Sequence, residues 1–182
     1  MALCDRYWLL TWTTYGTWLP GDRRGFVSSV RDADGRKVIH NVVGTPVDKD
    51  DPQLRAAALE RMAGPPVWLS DAQAAIALRQ LHAHVAFRGH DLEAAAIMTN
   101  HVHIVVGVSG DPAPSRLLGD FKSYLSRALN ADCGRPKGGT WWTESGSKGK
   151  LPDEEAVRLA VEYVRRQTHP LLVWAAPRWC AE

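Results

Sequence analysis

Apolar residues along the chain fall into short runs with two distinct periods. Tyr7 to Thr14 (YWLLTWTT) is rich in aromatic and β-branched side chains and reads as a strand ended by Gly16, Pro20 and Gly21. Leu92 to Met98 and Val102 to Val108 are two more strand-like runs, joined by Thr99-Asn100 as a hairpin. Helical spacing appears in Leu117, Leu118, Phe121, Leu125, Ala128 and Leu129. Ser70-Asp71-Ala72-Gln73 is a capping-box pattern that opens a helix to about Arg88, closed near Gly89. Asp51-Pro52 opens a shorter helix to about Met62, stopped by Gly64-Pro65-Pro66. Trp141 to Thr143 reads as a short strand, and Pro152-Asp153-Glu154-Glu155 starts a last helix running to about Thr168, before Pro170. Asp22 to Val47 has little periodicity and is long for a loop.

The order is therefore β-α-β-β-α-β-α in a single domain spanning residues 1–182, with an irregular insertion at about 22–67. It predicts an α+β fold: a ferredoxin-like split β-α-β antiparallel sheet with helices on one face and an added C-terminal helix.

Composition narrows the class. With 22 Lys+Arg against 20 Asp+Glu the net charge is +2, and 45% of residues are hydrophobic, which excludes disordered and fibrous chains. The longest apolar stretches, such as Ile104 to Val108, fall far short of the roughly 20 residues of a membrane helix. The first residues carry no basic region followed by an apolar one, so the expected location is the cytoplasm, at the nucleoid when on DNA. Cys4, Cys133 and Cys180 form no close pair and read as free thiols. Eight tryptophans in so short a chain serve a core, nucleic-acid stacking, or both.

His101-Val102-His103 heads a strand-like run. Side chains two apart on a strand share a face, so both imidazoles project side by side, as two ligands of one metal ion require. The same spacing also fits two polar residues at the end of a half-buried strand. His82-Ala83-His84 has identical spacing but lies in a predicted helix, where residues i and i+2 diverge by about 200°. A third histidine at position 105 would suggest the histidine-triad nucleotide hydrolases, but Val105 stands there. In the last helix, Tyr163 and Gln167 are one turn apart, and the face carrying Tyr163 with Ala156, Leu159 and Ala160 is expected to pack inward.

Two strings together carry a resemblance. MTNHVHIVV (Met98 to Val106) resembles the strand motif of the HUH single-tyrosine transposases of the insertion-sequence 200/605 type, and EYVRRQ (Glu162 to Gln167) resembles their final-helix motif. The 62 residues from His101 to Tyr163 are close to the family's spacing, and REP-associated tyrosine transposases are similar too. The resemblance implies that the added C-terminal helix carries the nucleophile Tyr163, and that His101, His103 and Gln167 ligate a divalent ion, Mg or Mn. It further implies covalent attachment of the tyrosine to a 5′ phosphate of single-stranded DNA, with a hairpin near the protein's own gene as the substrate. Whether the protein is a monomer or a homodimer stays open. Thr99 stands where the family commonly has proline. Tyr124 is a competing nucleophile, but its i+4 neighbour is Ala128, which cannot bind metal.

A covalent phosphotyrosine conserves the energy of the cut bond for rejoining, which a nuclease that activates water does not do. Between Arg116 and Lys150 seven basic residues face three acidic ones, beside Trp141 and Trp142. Cations with flat rings suit a single strand, and the expected contacts are Lys122, Arg127, Trp142 and Lys148, with Arg23 and Arg24 as a second site. Two other functions fit the same residues: a non-catalytic single-stranded DNA- or RNA-binding module, and a metallohydrolase in which the histidines activate water.

Overall fold

The computed structural model describes residues 4–22, 29–31, 37–39 and 51–180. Its main sheet has five antiparallel strands: β1 (Arg6–Thr13), β4 (Asp91–Ile97), β5 (His101–Val108), β6 (Ser147–Leu151) and β7 (Leu172–Ala175), in the order β6-β1-β5-β4-β7. Two short strands, β2 (Ser29–Arg31) and β3 (Lys37–Ile39), pair with each other in a separate ribbon. The helices are α1 (Pro52–Glu60), α2 (Asp71–Arg88), α3 (Pro114–Cys133) and α4 (Glu154–Arg165). Taken without β7, the strand order and the placement of α2 and α3 are those of the ferredoxin-like split β-α-β fold, so the expected class holds. No helix among the described residues is long and apolar enough to cross a membrane.

Local signals explain most boundaries. The Ser70 side chain accepts from Gln73 N while the Gln73 side chain accepts from Ser70 N, completing the capping box of α2. Gly89 closes that helix in the left-handed conformation at φ 64°, which only glycine adopts without strain. Asp51 caps α1 through Leu54 N, with Pro52 in the first turn.

Two expectations need correction. Trp141 to Thr143 is not a strand of the sheet: Trp142 makes one isolated bridge to Thr14, and the edge strand is Ser147–Leu151. Its sequence, SKGKL, has little β propensity, and pairing with β1 imposes the conformation. The last helix stops at Arg165 rather than near Thr168, and β7 follows it, paired with β4. Within the insertion, the helix expected after Asp51-Pro52 forms as α1, and the β2–β3 ribbon is added to it.

The sheet has two unlike faces. Trp8, Leu10 and Trp12 of β1 and Val102, Ile104 and Val106 of β5 meet α2 and α3 in the larger core. The opposite face is smaller and is covered by α4, where Val157, Ala160, Val161 and Val164 pack on Ala94, Ala96 and Val105. Alanines on β4 let that helix approach closely, and each buried valine adds about 2 kcal/mol. At the Leu92/Ala94 register shift a bulge turns Glu93 toward the α4 side, where the buried carboxylate accepts from the Arg178 guanidinium and from the Trp179 indole at 2.6 Å. Paired in this way, a buried carboxylate is tolerated. Arg165 Nη1 donates to the Trp179 carbonyl at 2.7 Å, so the segment after β7 also clips α4.

His82 and His84 diverge as expected: His82 packs on Trp174, and His84 on Phe121 and Tyr124. His84 is 2% exposed, and burial pushes its pKa down to about 4. The unfolded chain therefore takes up this proton first as pH falls below about 6.5, so stability is full above that value and declines toward pH 4. Replacing His84 with Leu is expected to shrink the loss of unfolding free energy between pH 7 and pH 5 by about 2 kcal/mol, as measured by urea denaturation at the two pH values.

Candidate active site

The candidate site is built where β5 begins. His101 and His103 project from one face of this central strand, with ring centroids 4.7 Å apart and planes at 87°. Each ring is fixed through Nδ1. For His103 the partner is Thr11 Oγ1 at 2.7 Å, from the residue directly opposite on β1. For His101 it is Asn100 Oδ1 at 2.6 Å, the residue just before it. An imidazole anchored at Nδ1 ligates through Nε2, and such outer partners set the ring plane and tautomer. His103 is buried, and burial together with the neighbouring His101 lowers its pKa to about 4. It is therefore neutral at physiological pH, the state a metal ligand requires.

Tyr163 meets one member of this pair, His103. Its ring centroid is 5.4 Å from that of His103, edge to face. The tyrosine is not on the packed face of α4: Val157, Ala160, Val161 and Val164 are buried, whereas Tyr163 is 50% exposed and Leu159 51%. The inward face is rotated from the expected one, which leaves the phenol at the margin of the helix, between the histidines and solvent. Gln167 lies beyond the end of α4, and its amide nitrogen donates to the Tyr163 carbonyl at 3.0 Å. That bond commits the amide nitrogen and keeps the oxygen as the side chain's acceptor. Among the described residues no group of three His, Cys, Asp or Glu side chains could hold an ion. The donor set implied by the resemblance, two imidazoles and an amide oxygen, is chemically suited to a divalent ion and would leave it its full positive charge.

The residues expected to contact DNA are distributed otherwise. Trp142 is 4% exposed, packs edge-on against Trp12 with centroids 6.1 Å apart, and donates its indole N–H to the Lys122 carbonyl at 3.1 Å. Its ring offers no face to a base. Lys122 is buried too, and its ammonium donates to the carbonyls of Thr143, Glu144 and Ser145. It ties down a loop instead of meeting phosphate, and burial lowers its pKa to about 8. Arg127 is exposed, lies 4.8 Å over the Tyr124 ring, and lines a groove of about 860 Å³ between α3 and the loop from Arg135 to Lys148. Lys148 lines the same groove and donates to the Gly146 carbonyl at 3.1 Å. Arg23 and Arg24 lie outside the described residues. Tyr124 packs between His84 and Arg127, on the side of the sheet away from the histidine pair.

Sequence reading missed Thr11 and Asn100 as anchors of the imidazoles. The signal was present: Asn100 abuts His101, and Thr11 and Thr13 are polar at alternate positions of an otherwise apolar strand. Thr13 Oγ1 meets Thr143 Oγ1 at 2.9 Å, so the loop held by Lys122 borders the strand that carries Thr11.

A strand-borne histidine pair facing a helix-borne tyrosine is the arrangement that the strand and helix motifs imply. In comparison with known protein families, residues 71–167, just over half of the chain, match the family described as "Transposase IS200 like". The chain belongs to the IS200-like transposase family. Among solved structures it is similar to a REP-associated tyrosine transposase bound to a REP hairpin, at 13% identity and a TM-score of 0.43, covering 89% of this chain and 66% of that one. No curated protein matches it significantly.

Replacing Lys122 with Met is expected to lower unfolding free energy by about 1–3 kcal/mol, since the Thr143, Glu144 and Ser145 carbonyls lose a charged donor. Denaturant unfolding measures the loss, and hydrogen exchange should rise selectively around residues 143–145.

Proposed function

We propose that this transposase-family protein is a metal-dependent single-stranded DNA endonuclease and strand-transferase, with Tyr163 as nucleophile and His101, His103 and Gln167 as metal ligands. The observation that carries the reading is the edge-to-face contact of Tyr163 with His103, ring centroids 5.4 Å apart, with both histidines anchored through Nδ1 within one chain.

In this reading Tyr163 Oη attacks a backbone phosphorus. The new bond joins the phenolic oxygen to the 5′ phosphate, the bond to the 3′ oxygen breaks, and the proton lost by the phenol to water is replaced by one that water delivers to the departing 3′ oxygen, which leaves as a hydroxyl. Rejoining runs the step backwards with a 3′ hydroxyl as attacker, so no nucleotide cofactor is consumed. A bound Mg or Mn ion would polarise the nonbridging oxygens and orient the phosphate in line. His103, kept neutral by its burial, and His101 would hold it through Nε2, while Thr11 and Asn100 hold the rings. The Gln167 amide would supply oxygen while its nitrogen stays on the helix carbonyl. Half-exposure of Tyr163 suits a nucleophile that must meet a polymer arriving from solvent.

The substrate in this reading is single-stranded DNA, with a hairpin near the protein's own gene. Arg127 and Lys148 on the groove beside α3 are the cations proposed to meet its phosphates. Arg127→Ala is expected to weaken binding of every sequence alike and to reduce the salt slope of affinity by about one, read by fluorescence anisotropy across a salt series.

With Mn present, wild-type protein and its flanking single-stranded DNA should give an adduct that survives denaturing electrophoresis. Tyr163→Phe should bind DNA but give no adduct, and Tyr124→Phe should give one. Cleavage without an adduct would instead support the water-activating hydrolase. Because tyrosine and histidines sit together in one chain, mixing Tyr163→Phe with His103→Ala protein should restore nothing. Restored adduct would show that the tyrosine serves a partner's histidines.

A further inference from the structure

Trp68 is the most exposed of the eight tryptophans, at 59%. It lies on the extended segment between α1 and α2, and both neighbours are buried: Val67 and Leu69 enter the α2–α3 core. Alternation along an extended chain turns Trp68 away from that core. The backbone under it is pinned on both sides, since Val67 N donates to the Tyr15 carbonyl at 2.9 Å and Leu69 N donates to the Thr99 carbonyl at 2.7 Å. Both acceptors belong to the end of the sheet that carries the candidate site. Thr99 precedes His101 by two residues, and Tyr15 follows by two residues Thr13, the β1 partner of His101. Cations are near as well: Gly64 packs so closely on Gly138 that a Cβ there would lie 2.5 Å from the Gly138 nitrogen, which sets the loop of Arg135 and Lys137 beside the segment. Both of those side chains are exposed.

We propose that Trp68 is a stacking platform for an unpaired base of the single strand on which the Tyr163 site acts. The inference rests on the proposed function and adds a base-binding residue to it. An indole held out to solvent on a hydrogen-bonded backbone loses little freedom when a base stacks on it, and stacking is tolerant of sequence because every base has a flat face. Arg135 and Lys137 would meet the phosphates of the same strand.

The test uses an oligonucleotide that the wild-type protein cleaves, with a single abasic site moved along it, and compares affinity for wild type, Trp68→Phe and Trp68→Ala. Trp68→Ala should bind the intact strand about tenfold more weakly, and Trp68→Phe should recover part of the loss. One abasic position should weaken wild-type binding by a similar factor yet leave Trp68→Ala unaffected, a coupling that a merely structural role would not produce. Equal affinity of wild type and Trp68→Ala, or an equal response of both to every abasic position, would overturn the platform while the adduct chemistry stood. Absence of cleavage and binding by the wild type on all flanking strands would overturn the proposed function, and the platform with it.

Discussion

The structure depends on the two-sidedness of β5. It is hydrogen-bonded on both edges, to β1 and to β4, so its alternation cannot slip without exposing Val102, Ile104, Val106 and Val108. That register also fixes His101 and His103 on the opposite face, beside Val105. The larger core therefore supplies the precision of the smaller, chemical face. Thr11 takes part for the same reason, because the pairing that buries Leu10 and Trp12 also sets Thr11 opposite His103.

The second half of the site is held more lightly. α4 docks through four small side chains on a sheet face lined with alanine, and its grip is reinforced by the Arg165 contact to the segment that Glu93 anchors through Arg178 and Trp179. Tyr163 is at the margin of that contact. Under the proposed function, a nucleophile buried in it could not meet a DNA backbone, and one on the far side could not meet the histidines. The buried valines set the rotation of the helix and so the place of the phenol. Glu93 anchors the strap that holds this helix.

Much of this was legible in the sequence because strong local rules agreed with the tertiary structure. The capping box at Ser70, the Gly89 stop, the β4–β5 hairpin and the apolar spacing of α3 all carry their own physical reason, and each formed as read. Spacing also separated His101 and His103 from His82 and His84. Where reading failed, the deciding interactions lay far apart in the chain. SKGKL becomes a strand only because β1 offers an edge, and Lys122 and Trp142 look like a cation and a ring for DNA until the fold buries them together under the 143–145 loop. The rotation of α4 was misread because Leu159 and Tyr163 count as apolar, although three valines and an alanine fit the sheet more closely.

The central claim is that the phenol above His103 forms the covalent bond. The most direct measurement is mass spectrometry of the trypsin-digested protein–DNA complex formed with single-stranded flanking DNA and Mn. Cleavage after Arg158 and Arg165 releases Leu159 to Arg165, whose one tyrosine is Tyr163. The account predicts a 5′-phosphorylated nucleotide on that peptide; the same mass on Ser123 to Arg127, which carries Tyr124, would contradict it.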